Sequence, residues 1–408
     1  MDIKRVIKPP PWLISIQTRT ILSALQDAPV TVRFVGGCVR DYLLGKRVTD
    51  LDLATTLEPS NVLQQLEKAT IKTVPLGIAY GSVLVVMEPY HYEITTLRRD
   101  VKTDGRHAKI CFTDDWEEDA QRRDFTFNAL YLSIRGDLYD PWGGEEDLQR
   151  GYVRFIGNPR ARIQEDYLRI LRYFRFHACY GRGEMDPEAL QACRDEAEKI
   201  KTLSAERVRT EFLKLLKAPD PSMALQRMVD TGVWFYATQG APAPCINDLK
   251  NLIKVEQEFQ VAPEFLRRLA VILPNDSDAL KTLAQRLKLT GKQRQEAQIL
   301  TKAATGTCTD KDEMLYDYGL GMARDALLIR AARGYDRFLL ERLPAHWEKP
   351  VFPLSGEDLK ALGIAPGSFL GETLKHVETW WVRHHFKPNA QSCLEEVQKY
   401  VHRSGSRS

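Results

Sequence analysis

The feature that most restricts this chain is a change of period along its length. Through residue 150, short β-branched runs alternate with turns and brief helical stretches; beyond Ile163, helical periodicity holds to the end. That order predicts an α+β class: a small head built on a mixed sheet, followed by an all-α series. Val30–Val35 reads as a strand ending in Gly36-Gly37, Asp41–Leu44 as helical, and Thr49–Thr56 as a second strand. Pro59 to Ala69 has a helix pattern with proline in its first turn. Val83–Met87 and Tyr92–Leu97 straddle Glu88-Pro89-Tyr90-His91 as a hairpin, and Phe125–Ile134 and Leu138–Tyr139 flank Arg135-Gly136-Asp137 as another. Breaks are expected at Gly181-Arg182-Gly183, Lys217–Pro221, Gly240–Pro244 and Lys349-Pro350.

At 408 residues the chain exceeds one ordinary domain, and about two to four are expected. Hydrophobic residues at 43% and charged ones at 28% are enough for a real core, and the net charge of +3 permits an acidic partner without demanding one. No apolar run is long enough to span a bilayer, and the first sixteen residues lack the apolar stretch of a secretory leader. Seven scattered cysteines, none in a CxxC pair, argue against a disulfide framework and against a zinc site. A reducing, cytoplasmic setting is expected.

Chemistry concentrates in the head. Val35-Gly36-Gly37-Cys38-Val39-Arg40-Asp41 puts two glycines between a strand and a helix, where backbone can approach a ligand closely and Arg40 can add charge toward a phosphate. An ordinary strand-to-helix turn is the competing reading. Ten residues past Arg40 stands Thr49-Asp50-Leu51-Asp52-Leu53. On a strand, Asp50 and Asp52 face one side while Leu51 and Leu53 pack behind. Side-by-side carboxylates repel unless a cation sits between them, and hard oxygen ligands suit Mg²⁺; two solvated aspartates at a strand end are the alternative. Glu93, in a later strand, is a candidate general base or metal ligand, or a structural partner for Arg98. His107 has no second His or Cys at ligand spacing, so a surface or phosphate-contacting histidine is expected there.

Taken in order, GGCVRD at 36–41, DLD at 50–52, EITTLR at 93–98 and RRDFTFNAL at 122–130 resemble the class II tRNA nucleotidyltransferases (CCA-adding enzymes) and the related bacterial poly(A) polymerases. These belong to the polymerase-β-like nucleotidyltransferase superfamily. The likeness continues through Asp140–Gly144, Arg154–Gly157, Glu165–Arg169 and Ser204–Arg209, and Pro353–Leu359 resembles the tail of bacterial members. The resemblance implies a seahorse-like shape with a catalytic head (1–150), a nucleotide-selecting neck (151–220), a body (221–345) and an RNA-binding tail (346–408). It implies Mg²⁺ on Asp50 and Asp52, and nucleotide contacts from Gly36, Gly37, Arg40 and Arg123. Read without the other motifs, Arg122 and Arg123 would be a salt-bridged surface near Glu117, Glu118 and Asp119.

The segment Ile163–Phe176 reads as one helix, with Tyr167, Ile170, Leu171 and Phe174 forming a buried stripe. Asp166 and Arg169, three apart, are expected as neighbours on one face, with Arg172 and Arg175 continuing the row. A self-paired solvated face is the bland alternative. Cytosine and adenine both present an amino donor beside an unprotonated ring nitrogen, whereas uracil and guanine present a carbonyl beside a ring N–H. A carboxylate at Asp166 and a guanidinium at Arg169 complement the first pair and mispair with the second, a contrast able to reject the wrong base by about 10⁴. The resemblance assigns this aspartate and the three following arginines to nucleotide recognition.

The helical half is expected to hold the tRNA acceptor arm through phosphates and shape. Lys281, Arg286, Lys288, Lys292 and Arg294 occupy a stretch without an acidic residue and are candidate phosphate contacts, a plain solvated face being the alternative. Trp380-Trp381 is expected to pack between helices. The predicted activity is transfer of CMP and AMP from CTP and ATP to a tRNA 3′ end. A poly(A) polymerase, a CC-only enzyme and a decayed RNA-binding module remain as alternatives; the last would be marked by loss of Asp50 or Asp52, and both are present.

Overall fold

The computed structural model describes residues 1–25, 31–77, 81–103, 108–273, 277–305 and 310–405. Val30 and His107, both named above, lie outside these residues. The chain divides into two compact units, Met1–Ala241 and Pro242–Ser408. The boundary falls inside the predicted break Gly240–Pro244, where Gln239 and Gly240 both take positive φ (58° and 89°) and prolines follow.

The first unit is built on an eight-stranded mixed sheet. Its strands are β1 (Ile3–Val6), β2 (Val32–Val35), β3 (Asp50–Thr55), β4 (Thr73–Gly77), β5 (Ser82–Met87), β6 (Tyr90–Thr96), β9 (Tyr131–Ser133) and β10 (Asp137–Tyr139); β7 (Arg98–Thr103) and β8 (Ala108–Phe112) form a separate ribbon. The order is β1-β10-β9-β2-β3-β6-β5-β4. Within it β3 and β6 run parallel, aligning Asp50 with His91 and Asp52 with Glu93, while the other described pairs are antiparallel. Leu51 and Leu53 are fully buried, so the alternation of β3 leaves Asp50 and Asp52 on the opposite face.

Two expected hairpins are adjusted. Met87 pairs directly with Tyr90, so Glu88-Pro89 alone makes the first turn. The strand predicted from Phe125 begins only at Tyr131, because Thr126–Asn128 coils into a 3₁₀ turn. Asp124 drives that turn by accepting from the Phe125 N–H and the Asn128 amide, both at 2.9 Å. The turn sends Phe125 and Phe127 into an aromatic cluster with Phe155, Tyr173 and Phe176.

Four helices of this unit shape the site: α1 (Gly37–Leu43), α2 (Pro159–Glu165), α3 (Leu168–Tyr180) and α4 (Ala205–Leu216). The continuous helix predicted over 163–176 is interrupted. Asp166 is extended (φ −154°, ψ 106°) and its Oδ1 accepts from the Leu168 N–H, a side-chain bond that replaces a helical one. Past the break, Ile170, Leu171 and Phe174 bury the expected stripe, with Tyr167 only half-buried. The described regular elements of the second unit are all helices, and no described helix is long and apolar enough to cross a membrane. There Trp381 packs with Tyr316, Phe352 and Phe386, as predicted for a core tryptophan.

Candidate active site

A cavity of about 1060 Å³ lies within the first unit. Gly36, Gly37, Arg40, Asp50, Asp52, Arg123, Asp166, Arg169, Arg172 and Arg175 all line it. Glu93 does not, although its register beside Asp52 places both on one face of the sheet.

The glycine turn is a backbone requirement. Gly36 has φ 69° and ψ −122°, a region closed to residues with a Cβ, and α1 starts directly after it. A Cβ on Gly37 would stand 3.7 Å from both Arg40 Nη2 and Asp52 Oδ2, so the bare backbone keeps open the gap between a cation and a carboxylate. The two aspartates differ. The Asp50 side chain is 82% exposed and meets His91 Nδ1 at 3.2 Å. Asp52 is largely buried, and burial together with the charges of Glu93 and Asp50 pushes its carboxyl up to about 6 despite Arg123 and Arg40. A divalent cation would relieve that crowding. Among the described residues no set of three or more acidic, His or Cys groups is spaced to enclose a metal. Two carboxylates opening on a phosphate-sized space suit Mg²⁺, which keeps waters and completes its shell from substrate phosphates.

Arginines dominate the remaining wall. Arg40 is 7% exposed; it donates to Asn128 Oδ1 at 2.7 Å and through Nε and Nη2 to Asp41 at 3.0 and 2.9 Å. Arg123 donates through Nε and Nη2 to Asp119 Oδ2 at 3.2 and 3.0 Å, while its Nη1 lies toward Gly36. The expected salt-bridged reading of Arg122 and Arg123 is therefore half right. Both hold Asp119, but that aspartate is buried and Arg123 still faces the cavity. Burial raises the Asp119 carboxyl, and the two guanidiniums and the Tyr131 hydroxyl overcome this and hold it well below the usual range.

The row expected to read the base is arranged differently from its sequence spacing. Asp166 pairs with Arg207 of α4 (Oδ2 to Nη2, 2.7 Å) and not with Arg169. Arg169 instead meets Glu165 at 2.5 Å and donates to the carbonyls of Arg162 and Arg122 at 2.8 and 2.9 Å. The helix break at Asp166 is the reason, since it removes the i, i+3 geometry. Arg172 holds Asp124 at 2.6 Å and Arg175 meets Glu211 at 3.1 Å. Phe176 lies beneath three guanidiniums, those of Arg40, Arg172 and Arg175, at 5.3, 5.2 and 4.1 Å. Sequence reading gave no role to Asp124, Asn128 or Arg207, although all three lie inside motifs quoted for the resemblance; their partners across the cavity, Arg172, Arg40 and Asp166, are 48, 88 and 41 residues away along the chain.

Among the candidate phosphate contacts of the second unit, Arg286 is 7% exposed and so leaves the exposed row. Lys281, Lys288, Lys292 and Arg294 stay exposed. Asp278 and Glu296, just outside the acid-free stretch, pair with Lys281 and Lys292 at 3.0 and 3.9 Å.

A strand-borne aspartate pair beside a glycine turn, on a mixed sheet with a helical series behind, defines a nucleotidyltransferase. Residues 32–154 match the poly A polymerase head domain, and 184–237 match the family described as "Probable RNA and SrmB- binding site of polymerase A". The mitochondrial CCA tRNA nucleotidyltransferase 1 of Danio rerio is 34% identical over 384 residues, 90% of this chain and 87% of that protein. A CCA-adding enzyme of Streptococcus gordonii is 33% identical over 404 residues, 93% and 95%. The chain belongs to the CCA tRNA nucleotidyltransferase (CCA-adding enzyme) family. Its fold is shared with the Bacillus stearothermophilus CCA-adding enzyme in complex with CTP (TM-score 0.74, 24% identity, 96% of this chain and 100% of that one). It is shared also with the Thermotoga maritima enzyme complexed with tRNA (0.66, 22%, 98% and 100%).

Proposed function

We propose that the protein adds C, C and A to the 3′ end of tRNA without a nucleic acid template, taking CMP and AMP from CTP and ATP and releasing pyrophosphate. The observation that carries this reading is one cavity holding an aspartate pair, a glycine turn and an arginine-rich selecting wall. Eleven arginines and lysines line it against five aspartates, an excess suited to a triphosphate and an RNA end together. In this reading head, neck, body and tail keep the divisions 1–150, 151–220, 221–345 and 346–408. A reducing, cytoplasmic setting accords with free thiols at all six described cysteines.

Asp50 and Asp52 would hold Mg²⁺, which when bound would supply neutralisation of the triphosphate charge and activation of the attacking hydroxyl. Gly36 and Gly37 admit the triphosphate, Arg40 and Arg123 orient it, and the RNA 3′-hydroxyl attacks the α-phosphate in line. Glu93 keeps negative charge beside Asp52 and so favours cation uptake. Asp166 accepts from the amino group of cytosine or adenine, Arg169 donates to the ring nitrogen, and Arg172 and Arg175 hold the wall. A poly(A) polymerase is the second reading, favoured by the family matched over the head. The test is to supply CTP or ATP singly to tRNA ending before CCA, to tRNA ending in CC, and to unrelated RNA. CMP addition to the first and AMP to the second are expected; A-tailing of all three would establish the second reading. Asp50→Ala is expected to cut transfer by roughly 10³-fold or more while tRNA binding persists, and near-normal turnover would remove its metal role.

A further inference from the structure

We infer that Arg47, Lys214 and Lys217 form the entry for the RNA 3′ strand, gripping its backbone phosphates at the mouth of the catalytic cavity. The inference rests on the function proposed above and deepens it. The deep cations of the cavity are already engaged: Arg40 with Asp41, Arg123 with Asp119, Arg169 with Glu165, Arg172 with Asp124, Arg175 with Glu211 and Arg207 with Asp166. Arg47, Lys214 and Lys217 line the same cavity, are exposed, and make no side-chain hydrogen bond or ion pair among the described residues. They come from two walls. Arg47 is in the connection between α1 and β3, three residues before Asp50, and the two lysines lie at the C-terminal end of α4.

Three outward cations from two elements lining one cavity, with no ion pair among the described residues, suit an anionic ligand. Lys214 and Lys217 are three apart at the end of a helix, so they lie side by side at about 5–6 Å, a spacing that suits successive phosphates of a single strand. Lys214 feels repulsion from Arg175 and Arg172 on top of its partial desolvation, offset in part by the charges of Glu211 and Asp50, with neither of which it forms an ion pair among the described residues. A phosphate there would relieve that repulsion and bring the strand's terminus toward the aspartates. The nucleotide triphosphate is the other anion in reach, but its place is at the glycine turn beside Arg123 and Arg40, deeper in the cavity.

The experiment compares full-length wild type with Arg47→Ala, Lys214→Ala, Lys217→Ala, the triple variant and Lys214→Arg. Binding of tRNA lacking CCA is titrated across a salt series, and CTP binding with Mg²⁺ is measured calorimetrically without RNA. Each alanine variant is expected to flatten the dependence of log affinity on log salt by about 0.7, and the triple variant by about 2. CTP affinity should stay within twofold, and Lys214→Arg should restore the wild-type slope. Unchanged salt slopes would overturn the inference, as would loss of CTP affinity with RNA binding intact, which would give these residues to the triphosphate. Should wild type bind tRNA with the expected salt dependence yet transfer no CMP, the proposed function fails and the RNA entry stands.

Discussion

At Asp166 a single carboxylate has both oxygens occupied, one by the Leu168 N–H and one by Arg207. Two donors fix the plane of the group, and in the proposed function the remaining lone pairs read an amino group. Removing the carboxylate by Asp166→Ala is expected to lower discrimination against UTP and GTP by about 10²-fold or more. Arg207→Ala, which frees but retains it, should cost less. Misincorporation ratios for all four nucleotides decide this; equal selectivity in wild type and Asp166→Ala would contradict the base-reading role. That the four neck residues line one cavity was legible because their types and order resemble a known pattern. Their partners were not. Spacing placed Asp166 against Arg169, whereas the aspartate's bond to the backbone two residues on breaks the helix, an event that hydrophobic periodicity does not register.

Among the elements, the strand-turn-helix at 32–43 and strand β3, which carry the chemistry in the proposed function, were both legible from β-branched runs, a glycine pair and strict alternation. Boundaries were less so: α1 begins four residues before the predicted Asp41, since a seven-residue helix gives little periodicity to read. Gly36→Ala tests the turn. A Cβ would meet only ordinary contacts, 3.5 Å to the Asn128 carbonyl and 3.6 Å to Arg123 Nη1, so the cost is the backbone conformation, about 1–3 kcal/mol. Urea unfolding should show a destabilisation of that size, together with weaker CTP binding. The 3₁₀ turn after Asp124 makes a pH prediction. Burial raises Asp124, but Arg172, Asn128 and Arg169 hold its carboxyl well below the ordinary range, as the arginines do for Asp119. A depressed folded-state value contributes stability that is complete above the unfolded carboxylate pKa of about 4 and is lost as pH falls below it. Thermal midpoints should therefore drop steeply below about pH 4. In Arg172→Met, Asp124 is less depressed, so the protein should be less stable at neutral pH and its drop below about pH 4 shallower; coincident profiles for the two proteins would deny Arg172 this role.

The whole molecule divides after Ala241, and every residue lining the catalytic cavity belongs to the first unit. A chain of residues 1–241 is accordingly expected to bind CTP with Mg²⁺ within about threefold of the full protein, a change under 1 kcal/mol. Its affinity for tRNA should fall by tenfold or more. Calorimetry with each ligand checks both, and loss of CTP binding in a folded 1–241 chain would show that the second unit completes the nucleotide site. Gly240–Pro244 was legible as one of four breaks, because glycine and proline mark backbone that does not continue a helix, but the expected divisions at 150, 220 and 345 did not single it out as the boundary. The second unit offered little else to read: its charged surface is largely self-paired, and burial removes Arg286 from the row that spacing predicted.

Phe176 has a consequence at this scale. One uncharged ring supports guanidiniums that arrive from two separate elements, so under the proposed function the phosphate side and the selecting side of the cavity rest on a common floor. An enzyme arranged this way cannot tune its grip on the triphosphate independently of its choice of base. Drift at that position would degrade both together, although the residue bears no charge, donates no proton and touches neither metal nor leaving group.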